Sequence, residues 1–248
     1  MKAPEALDLQ DSLVPASFIF DKLKSLIQDE QLKSVDLLSL IKIDPCLMLE
    51  FLNVPSLMNP KAQKRATSLE EASAKLPMAD LLKFIQLELL KAQGFPYSHD
   101  FYKNYLPLWE SALFCASFLE TAAPFVKAEP NFAYSVGLLH AIDSIAECSL
   151  LHLGQKHPHE AKLKEPSILL KSLNIPEALL AVLLQQKDAQ PGEKSPLASC
   201  LDLAIKLKEG QNVEKLESNL GFGLDLLPSL CKKTQKRLSD IYRFIAIF

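Results

Sequence analysis

Residues 77–94 are PMADLLKFIQLELLKAQG, a stretch with proline at its start and glycine at its end. Proline is favoured in the first turn of a helix, and glycine commonly ends one. Between them the apolar residues are frequent enough to cover most sides of a helix, which is typical of a buried helix rather than a surface helix. The stretch therefore predicts an α-helical protein with this helix in its interior.

Similar helix signals recur along the chain. Helix starts are predicted at Pro15, Ser34, Asp44, Ser68 and Ser195. No segment shows the sustained alternation of apolar and polar residues that is typical of strands. The 248 residues include only 7 glycines against 16 prolines, whereas β-sandwiches and barrels normally need more glycine for their turns. We therefore predict an all-α fold of about twelve helices.

Prolines and polar stretches predict where these helices end. Two prolines make 54–64 a predicted loop, and a helix over 98–121 is expected to kink or break at Pro107. Residues 131–153 are a further predicted helical stretch, and 154–166 are a polar connection.

The prolines at 124 and 130 flank the point where the helical pattern is weakest. We place a boundary between two packed helical subdomains there. The predicted organisation is a tail over 1–11, an N-terminal subdomain over 12–125 and a C-terminal subdomain over 126–248.

Composition and charge exclude several classes of protein. Hydrophobic residues make up 48% of the chain and charged residues 23%, which excludes a disordered or collagen-like chain. The net charge of −3 does not fit a protein whose main task is to bind nucleic acid. The most basic run, residues 232–237, is interpreted as a solvated helix face.

Nothing in the sequence indicates a membrane or secretory protein. No apolar window reaches the ~18 residues that a transmembrane helix needs, and residues 1–10 lack the pattern of a secretory signal. None of the five cysteines belongs to a Cys-x-x-Cys pair. We expect a cytoplasmic protein with buried, reduced thiols.

No phosphate-binding glycine loop or nucleophile elbow is present. Four of the five histidines are close in sequence: His140, His152, His157 and His159. On a helix, His140, Asp143 and Glu147 share one face, and a histidine with two carboxylates is a possible part of a metal site. The alternative interpretation is that His140 packs in the core beside Gly137 and that the two acids are ordinary surface residues.

Several segments resemble one protein family in the same order along the chain. Residues 137–142, GLLHAI, resemble the Gly-Leu-Leu-His-Asp-Ile signature of the HD superfamily. Residues 44–53, DPCLMLEFLN, and 68–76, SLEEASAKL, are similar to two segments of one branch, the HDOD (HD-related output) domain. Trp109 stands where this branch usually has tryptophan. The resemblance covers roughly residues 12–240 and implies a multi-helical fold of two packed helical subdomains.

The departures from the family pattern concern the metal ligands of catalytic HD proteins. Those enzymes use a histidine shortly after the tryptophan, the His-Asp pair and a late aspartate. Here residues 110–112 are Glu-Ser-Ala, without a histidine, and His140 is followed by Ala141 instead of aspartate. Residues 185–186 are Gln-Gln, where related domains often have a histidine pair. The helix that would supply the late aspartate has Ile205. One of about four expected ligand positions is kept, which predicts neither a bound metal nor a cofactor.

The resemblance therefore implies a non-catalytic signal-transduction module, of a mostly bacterial and cytoplasmic class, that acts by binding a protein partner or a ligand. His140, Ala141 and Asp143 form the predicted vestigial pocket, and a small nucleotide is a second possible occupant of it. The alternative function is a metal-dependent phosphohydrolase for nucleotides or cyclic dinucleotides, with His140, Asp143 and Glu147 in a rearranged centre.

One aromatic stretch is a candidate interaction surface. It includes Phe95, Tyr97, Phe101 and Tyr102. Tyrosine and phenylalanine are common interface anchors, which favours a binding role. The alternative is that these rings pack at the seam between the subdomains. Trp109, the single tryptophan, is expected to be buried.

Overall fold

The computed structural model describes residues 13–29, 31–58, 65–74, 76–154, 166–190, 192–211, 213 and 220–246. Within these ranges the chain forms twelve α-helices, one short 3-10 helix at Leu224–Leu226 and no strand, so the prediction of an all-α, multi-helical fold is confirmed. The helices are α1 (Ser17–Leu26), α2 (Ser34–Ile43), α3 (Pro45–Met58), α4 (Leu69–Ser73), α5 (Met78–Gln93), α6 (His99–Ala122), α7 (Pro130–Leu139), α8 (Ile142–His152), α9 (Pro166–Ser172), α10 (Glu177–Asp188), α11 (Pro196–Lys208) and α12 (Leu227–Ala246).

Two prolines lie inside helices instead of ending them. Helix α3 continues through Pro55 to Met58, so the loop predicted from residue 54 is wrong for 54–58, while 59–64 lie outside the described residues. Helix α6 runs through Pro107, whose side chain is exposed, without a break. Each proline removes one backbone hydrogen bond, but both helices bury long apolar faces whose packing outweighs that loss.

The helical stretch predicted over 131–153 is two helices. Helix α7 ends at Leu139 and α8 begins at Ile142. Ala141 between them has φ −102° and ψ 9°, outside the helical range, and its carbonyl accepts the first hydrogen bond of α8, from the amide of Ile145 at 2.9 Å. In the polar connection predicted next, residues 155–165 lie outside the described part of the chain.

Helix α5 is buried on one face only, which corrects the prediction of an interior helix. Phe84 and Ile85 are buried, but the side chains of Leu87 and Leu90 are 54% and 67% exposed. The helix packs on α1 and α3 and therefore lies at the edge of the bundle. The helix has more apolar side chains than α1 and α3 cover, so Leu87 and Leu90 remain exposed.

Helix α6 is the central helix of the structure. It packs against α7, α8, α11 and α12, and its contact with α7 is the most extensive in the protein. The two helices touch at Gly137, where a Cβ atom would lie 2.5 Å from the backbone nitrogen of Ala116. Only glycine fits at that distance. The predicted subdomain boundary at residue 125 stays a prediction.

Side chains of α6 and α7 donate hydrogen bonds to the last backbone carbonyls of α2. Trp109 is 3% exposed, as predicted, and its indole N–H donates to the carbonyl of Ile43 at 2.9 Å. The hydroxyl of Tyr134 donates to the carbonyl of Lys42, also at 2.9 Å. The last carbonyls of a helix have no partner within the helix, so these bonds join α2 to the central pair of helices.

A buried carboxylate joins the start of α1 to the start of α3. Asp44 is fully buried, and it accepts hydrogen bonds from the amides of Leu47 at 2.9 Å and Ala16 at 3.1 Å. Burial raises the pKa of Asp44 to about 6, against the opposing effect of these hydrogen bonds. Its position confirms the helix start predicted there from sequence.

The cysteines are all free. Cys46, Cys115 and Cys200 are buried, as predicted for all five, whereas Cys148 and Cys231 are partly exposed, so the prediction is wrong for those two. No helix in the part of the chain that the structure describes is long and apolar enough to cross a membrane.

Glu88 is a buried acid on α5. It is 2% exposed, and its carboxylate accepts a hydrogen bond from the ammonium of Lys91 at 2.8 Å. A second carboxylate, that of Glu50, lies 3.8 Å from the same ammonium. Burial raises the pKa of Glu88 to about 7; Lys91 opposes this rise, and Glu50 and Asp44 add to it.

The first prediction concerns the contact of α6 with α7. Replacing Gly137 by alanine should lower the free energy of unfolding by about 1–3 kcal/mol, because a Cβ forces the two backbones apart. Gly94→Ala is the matched control, since no atom lies within 4 Å of a Cβ there. Urea denaturation measures both variants. Equal midpoints for the two would contradict the close contact.

The second prediction concerns the pH dependence of stability. The pKa of Glu88 is higher in the folded state than in the unfolded chain, so the folded state binds its proton more tightly. The stability from this group is fully present below the unfolded pKa of about 4.3 and is lost as the pH rises through about 7. Glu88→Gln should therefore gain stability relative to the native protein between pH 5 and 8. Denaturation curves that shift in parallel for both proteins would show otherwise.

Candidate functional site

His140 lies at the junction of α7 and α8 and is buried. Its Nδ1–H donates to the carbonyl of Gly137 at 2.7 Å, and its Nε2 accepts from the hydroxyl of Ser111 on α6 at 3.3 Å. A carbonyl only accepts, so Nδ1 carries a proton, and in the neutral ring Nε2 is then the acceptor. Burial lowers the pKa of His140 to about 4, so the ring is uncharged at neutral pH.

Asp143, in the first turn of α8, is paired with a lysine from another helix. Its Oδ2 accepts from the ammonium of Lys187 on α10, and both side chains are largely buried. Its Oδ1 is buried and has no hydrogen-bond partner among the described residues. Lys187 also contributes to the low pKa of His140, after the larger effect of burial. One internal positive charge thus lies near both polar residues of the predicted pocket.

The structure does not bring His140, Asp143 and Glu147 together. His140 and Asp143 are buried, whereas Glu147 is exposed on the outer face of α8. The break at Ala141 takes His140 off the helix that carries the two acids. On α8 itself, Asp143 in the first turn is buried and paired with Lys187, whereas Glu147 one turn later is at the surface. Within the described ranges no group of three or more histidine, cysteine or acidic side chains converges as metal ligands would. His157 and His159 lie outside these ranges.

The segments that replace the other family ligands have partners of their own. Gln186 donates from its side-chain amide to Oδ1 of Asp202 on α11 at 2.8 Å. Lys194 pairs with the same carboxylate and donates to the carbonyl of Gln186 at 2.6 Å. Gln185 accepts from the amide of Ser195 at 3.3 Å, and Ile205 is partly buried. The acid on α11 is therefore Asp202, already neutralised by a lysine.

These residues do not fit a divalent cation. The position after His140 is an alanine methyl, the Nε2 of His140 is occupied by the Ser111 hydroxyl, and an ammonium lies on the Asp143 carboxylate. A metal ion would have to displace a buried positive charge that the protein itself supplies. Apart from Oδ1 of Asp143, the polar side-chain atoms of His140 and Asp143 are engaged by protein groups, unlike the open ligand positions of a catalytic metal site.

The aromatic stretch predicted as an interaction surface is mostly internal. The rings of Phe95 and Phe101 are buried and both contact the imidazole of His152, at centroid distances of 5.5 and 5.2 Å. The hydroxyl of Tyr97 donates to the carbonyl of Pro15 at 2.6 Å. This geometry favours the alternative interpretation, a packing role.

Tyr102 makes a similar internal contact. Its hydroxyl accepts a hydrogen bond from the amide of Ser17 at 2.7 Å, at the start of α1. Both tyrosines are partly buried, and their rings stack with centroids 6.1 Å apart. The tyrosine hydroxyls are therefore used inside the protein, and a direct role of these four rings in binding stays a prediction.

Lys187 and Ser111 are the functional neighbours that sequence reasoning missed. Lys187 is 44 residues from Asp143 in the chain, so no local spacing connects them. Ser111 lies in the segment after Trp109 where the family pattern has a histidine, and nothing in the sequence indicates its bond to His140. The one available signal for Lys187 is its place directly after Gln185-Gln186, the segment compared with the histidine pair of related domains.

The third prediction concerns the ion pair. Lys187→Met should lower the free energy of unfolding by about 3–5 kcal/mol, because it leaves the Asp143 carboxylate buried without its counter-charge. The double variant Lys187→Met/Asp143→Asn should recover much of that loss. Lys208→Met, which removes an exposed pair with Glu110, is the control and should cost less than about 1 kcal/mol. Thermal denaturation of the native protein, Lys187→Met, Asp143→Asn, the double variant and Lys208→Met tests this, and additive effects of the two single substitutions would contradict it.

Comparisons with known proteins identify the fold. No model of a known protein family matches the chain, and no curated protein matches it by sequence. Two crystal structures of the MmoQ response regulator from Methylococcus capsulatus str. Bath have a similar fold. One is 21% identical with a TM-score of 0.63 and covers 89% of this chain and 98% of that chain. The other, a fragment, is 20% identical with a TM-score of 0.60 and covers 90% and 91%. The chain thus has the fold of a protein named as a response regulator.

Proposed function

We propose that this protein is a non-catalytic regulatory module of the HDOD type that acts in a cytoplasmic signalling pathway by binding a protein partner. The observation that carries the proposal is the ion pair of Lys187 with Asp143 beside a neutral, hydrogen-bonded His140. In an HD hydrolase the corresponding pocket has to keep its ligands free for a metal. Here both ring nitrogens of His140 and Oδ2 of Asp143 have protein partners, while Oδ1 of Asp143 has no hydrogen-bond partner among the described residues.

The fold supports the regulatory part of the proposal. The two similar structures carry the name of a response regulator, which is a signalling protein, and the likeness extends over about nine-tenths of this chain. Below 25% identity such a likeness concerns the fold, and the same fold hosts different functions. We therefore base the choice of a non-catalytic role on the chemistry of the pocket.

Binding of a protein is favoured over binding of a small nucleotide in the pocket. A phosphate needs a free positive charge or converging N–H donors. The charge of Lys187 is neutralised by Asp143, and the low pKa of His140 keeps that ring uncharged. The pocket thus offers no net positive charge among the residues that the structure describes, so we place the binding activity on the outer surface.

The fourth prediction tests catalysis directly. The purified protein should contain no stoichiometric transition metal by mass spectrometry, and it should not hydrolyse cyclic dinucleotides or nucleoside phosphates with added Mn²⁺ or Ni²⁺. Ala141→Asp should not create activity, because Lys187 still occupies the carboxylate of Asp143. Turnover that His140→Ala abolishes would overturn the proposal and establish the phosphohydrolase alternative.

A further inference from the structure

A groove opens between the first turns of α6 and the outer face of α8. Its volume is about 370 Å³, and its floor includes the buried ring of Phe101. It is lined by Asp100, Phe101, Asn104, Ser144, Glu147, Cys148, Leu151 and His152. Phe101 belongs to the aromatic stretch that the sequence marked as a candidate surface, and Phe95 from the same stretch contacts the ring of His152 in the lining.

One wall of the groove is apolar and exposed. The side chain of Leu151 is 66% exposed, while its neighbour Leu150 is 5% exposed. An exposed leucine alone is ordinary on a protein surface. Here the neighbouring residue His152, which also lines the groove, is held in place. Its Nε2 donates a hydrogen bond to the carbonyl of Pro96, and its ring contacts two phenylalanine rings.

The charge of the lining has one sign. Asp100 and Glu147 contribute two carboxylates, and the lining contains no lysine or arginine. Neither carboxylate has an ion-pair partner among the described residues, unlike the internal acids Asp143 and Asp202. The groove therefore complements a segment that brings positive charge together with a leucine-sized apolar group.

We propose that this groove is the docking site for a basic amphipathic segment of a partner protein, with Leu151 contacting its apolar side chains and Asp100 and Glu147 its lysines or arginines. The inference rests on the proposed function, since it names the surface through which a non-catalytic module binds. Helix-in-groove recognition uses the same combination of apolar anchors and flanking charges.

A second copy of this chain is a poorer occupant. The most basic run, residues 232–237 on α12, does not line the groove. Within this run Arg237 is already paired with Glu120 and Thr234 is buried, so it offers a second copy fewer free positive charges and no apolar anchor. We therefore assign the groove to a foreign partner.

The fifth prediction uses a fluorescein-labelled helical peptide built only from leucine and lysine as the probe. Fluorescence anisotropy should show binding to the full chain that weakens at raised salt. Asp100→Asn/Glu147→Gln and, separately, Leu151→Ser should each weaken it by at least about tenfold. The matched control, Asp188→Asn/Glu209→Gln, removes two exposed acids outside the groove and should leave the affinity unchanged. Circular dichroism confirms that each variant folds.

The outcomes separate this inference from the proposed function. The docking site would be overturned if the peptide bound the native protein, the groove variants and the control with equal affinity. It would also be overturned if the peptide did not bind, or if a leucine–glutamate peptide bound equally well. Self-association in sedimentation that Leu151→Ser abolishes would assign the groove to a second copy and also overturn it. Metal-dependent turnover would overturn the proposed function alone, because the peptide assay does not depend on it.

A photo-crosslinker placed at position 151 tests the docking site in the native cell. It should attach to a lysine- or arginine-rich segment of the partner.

Discussion

The contact between α6 and α7 at Gly137 is the constraint that places the candidate pocket. Because glycine lets the backbone of α7 approach Ala116, His140 follows three residues later within hydrogen-bond reach of Ser111, which lies five residues before Ala116 on α6. A larger residue at 137 would move the end of α7 away from α6 and separate that pair. The same approach fixes where α8 starts, and hence where Asp143 meets Lys187. Backbone packing thus comes first, and the polar network is built on it.

The polar network contains its own counter-charge for the buried acid. A buried carboxylate costs a large desolvation energy unless a positive charge compensates it. Lys187 supplies that charge from α10 and so also links the last third of the chain to the α7–α8 junction. Because the ammonium belongs to the protein, its charge depends on the fold alone and not on the supply of a metal ion.

The sequence was sufficient for the helical class, for the helix start at Asp44 and for burial of Trp109, because each depends on local pattern or on one residue type. It failed where tertiary packing decides. Pro55 stays inside α3, and Leu87 is exposed because no neighbouring helix covers that face of α5. The sequence indicated His140 and Asp143 as residues of the pocket. It did not indicate their partners Ser111 and Lys187, because these lie on helices far away in the chain.

The bonds at the end of α2 have a consequence for how the molecule opens. A helix of ten residues usually frays from its ends, and amide hydrogens there exchange quickly with solvent. The last carbonyls of α2 are held by Trp109 and Tyr134, which belong to the central pair of helices. Fraying of α2 from that end therefore has to break two hydrogen bonds to the central pair of helices, so we expect its last turn to exchange its amide hydrogens more slowly than the free end of a helix of this length.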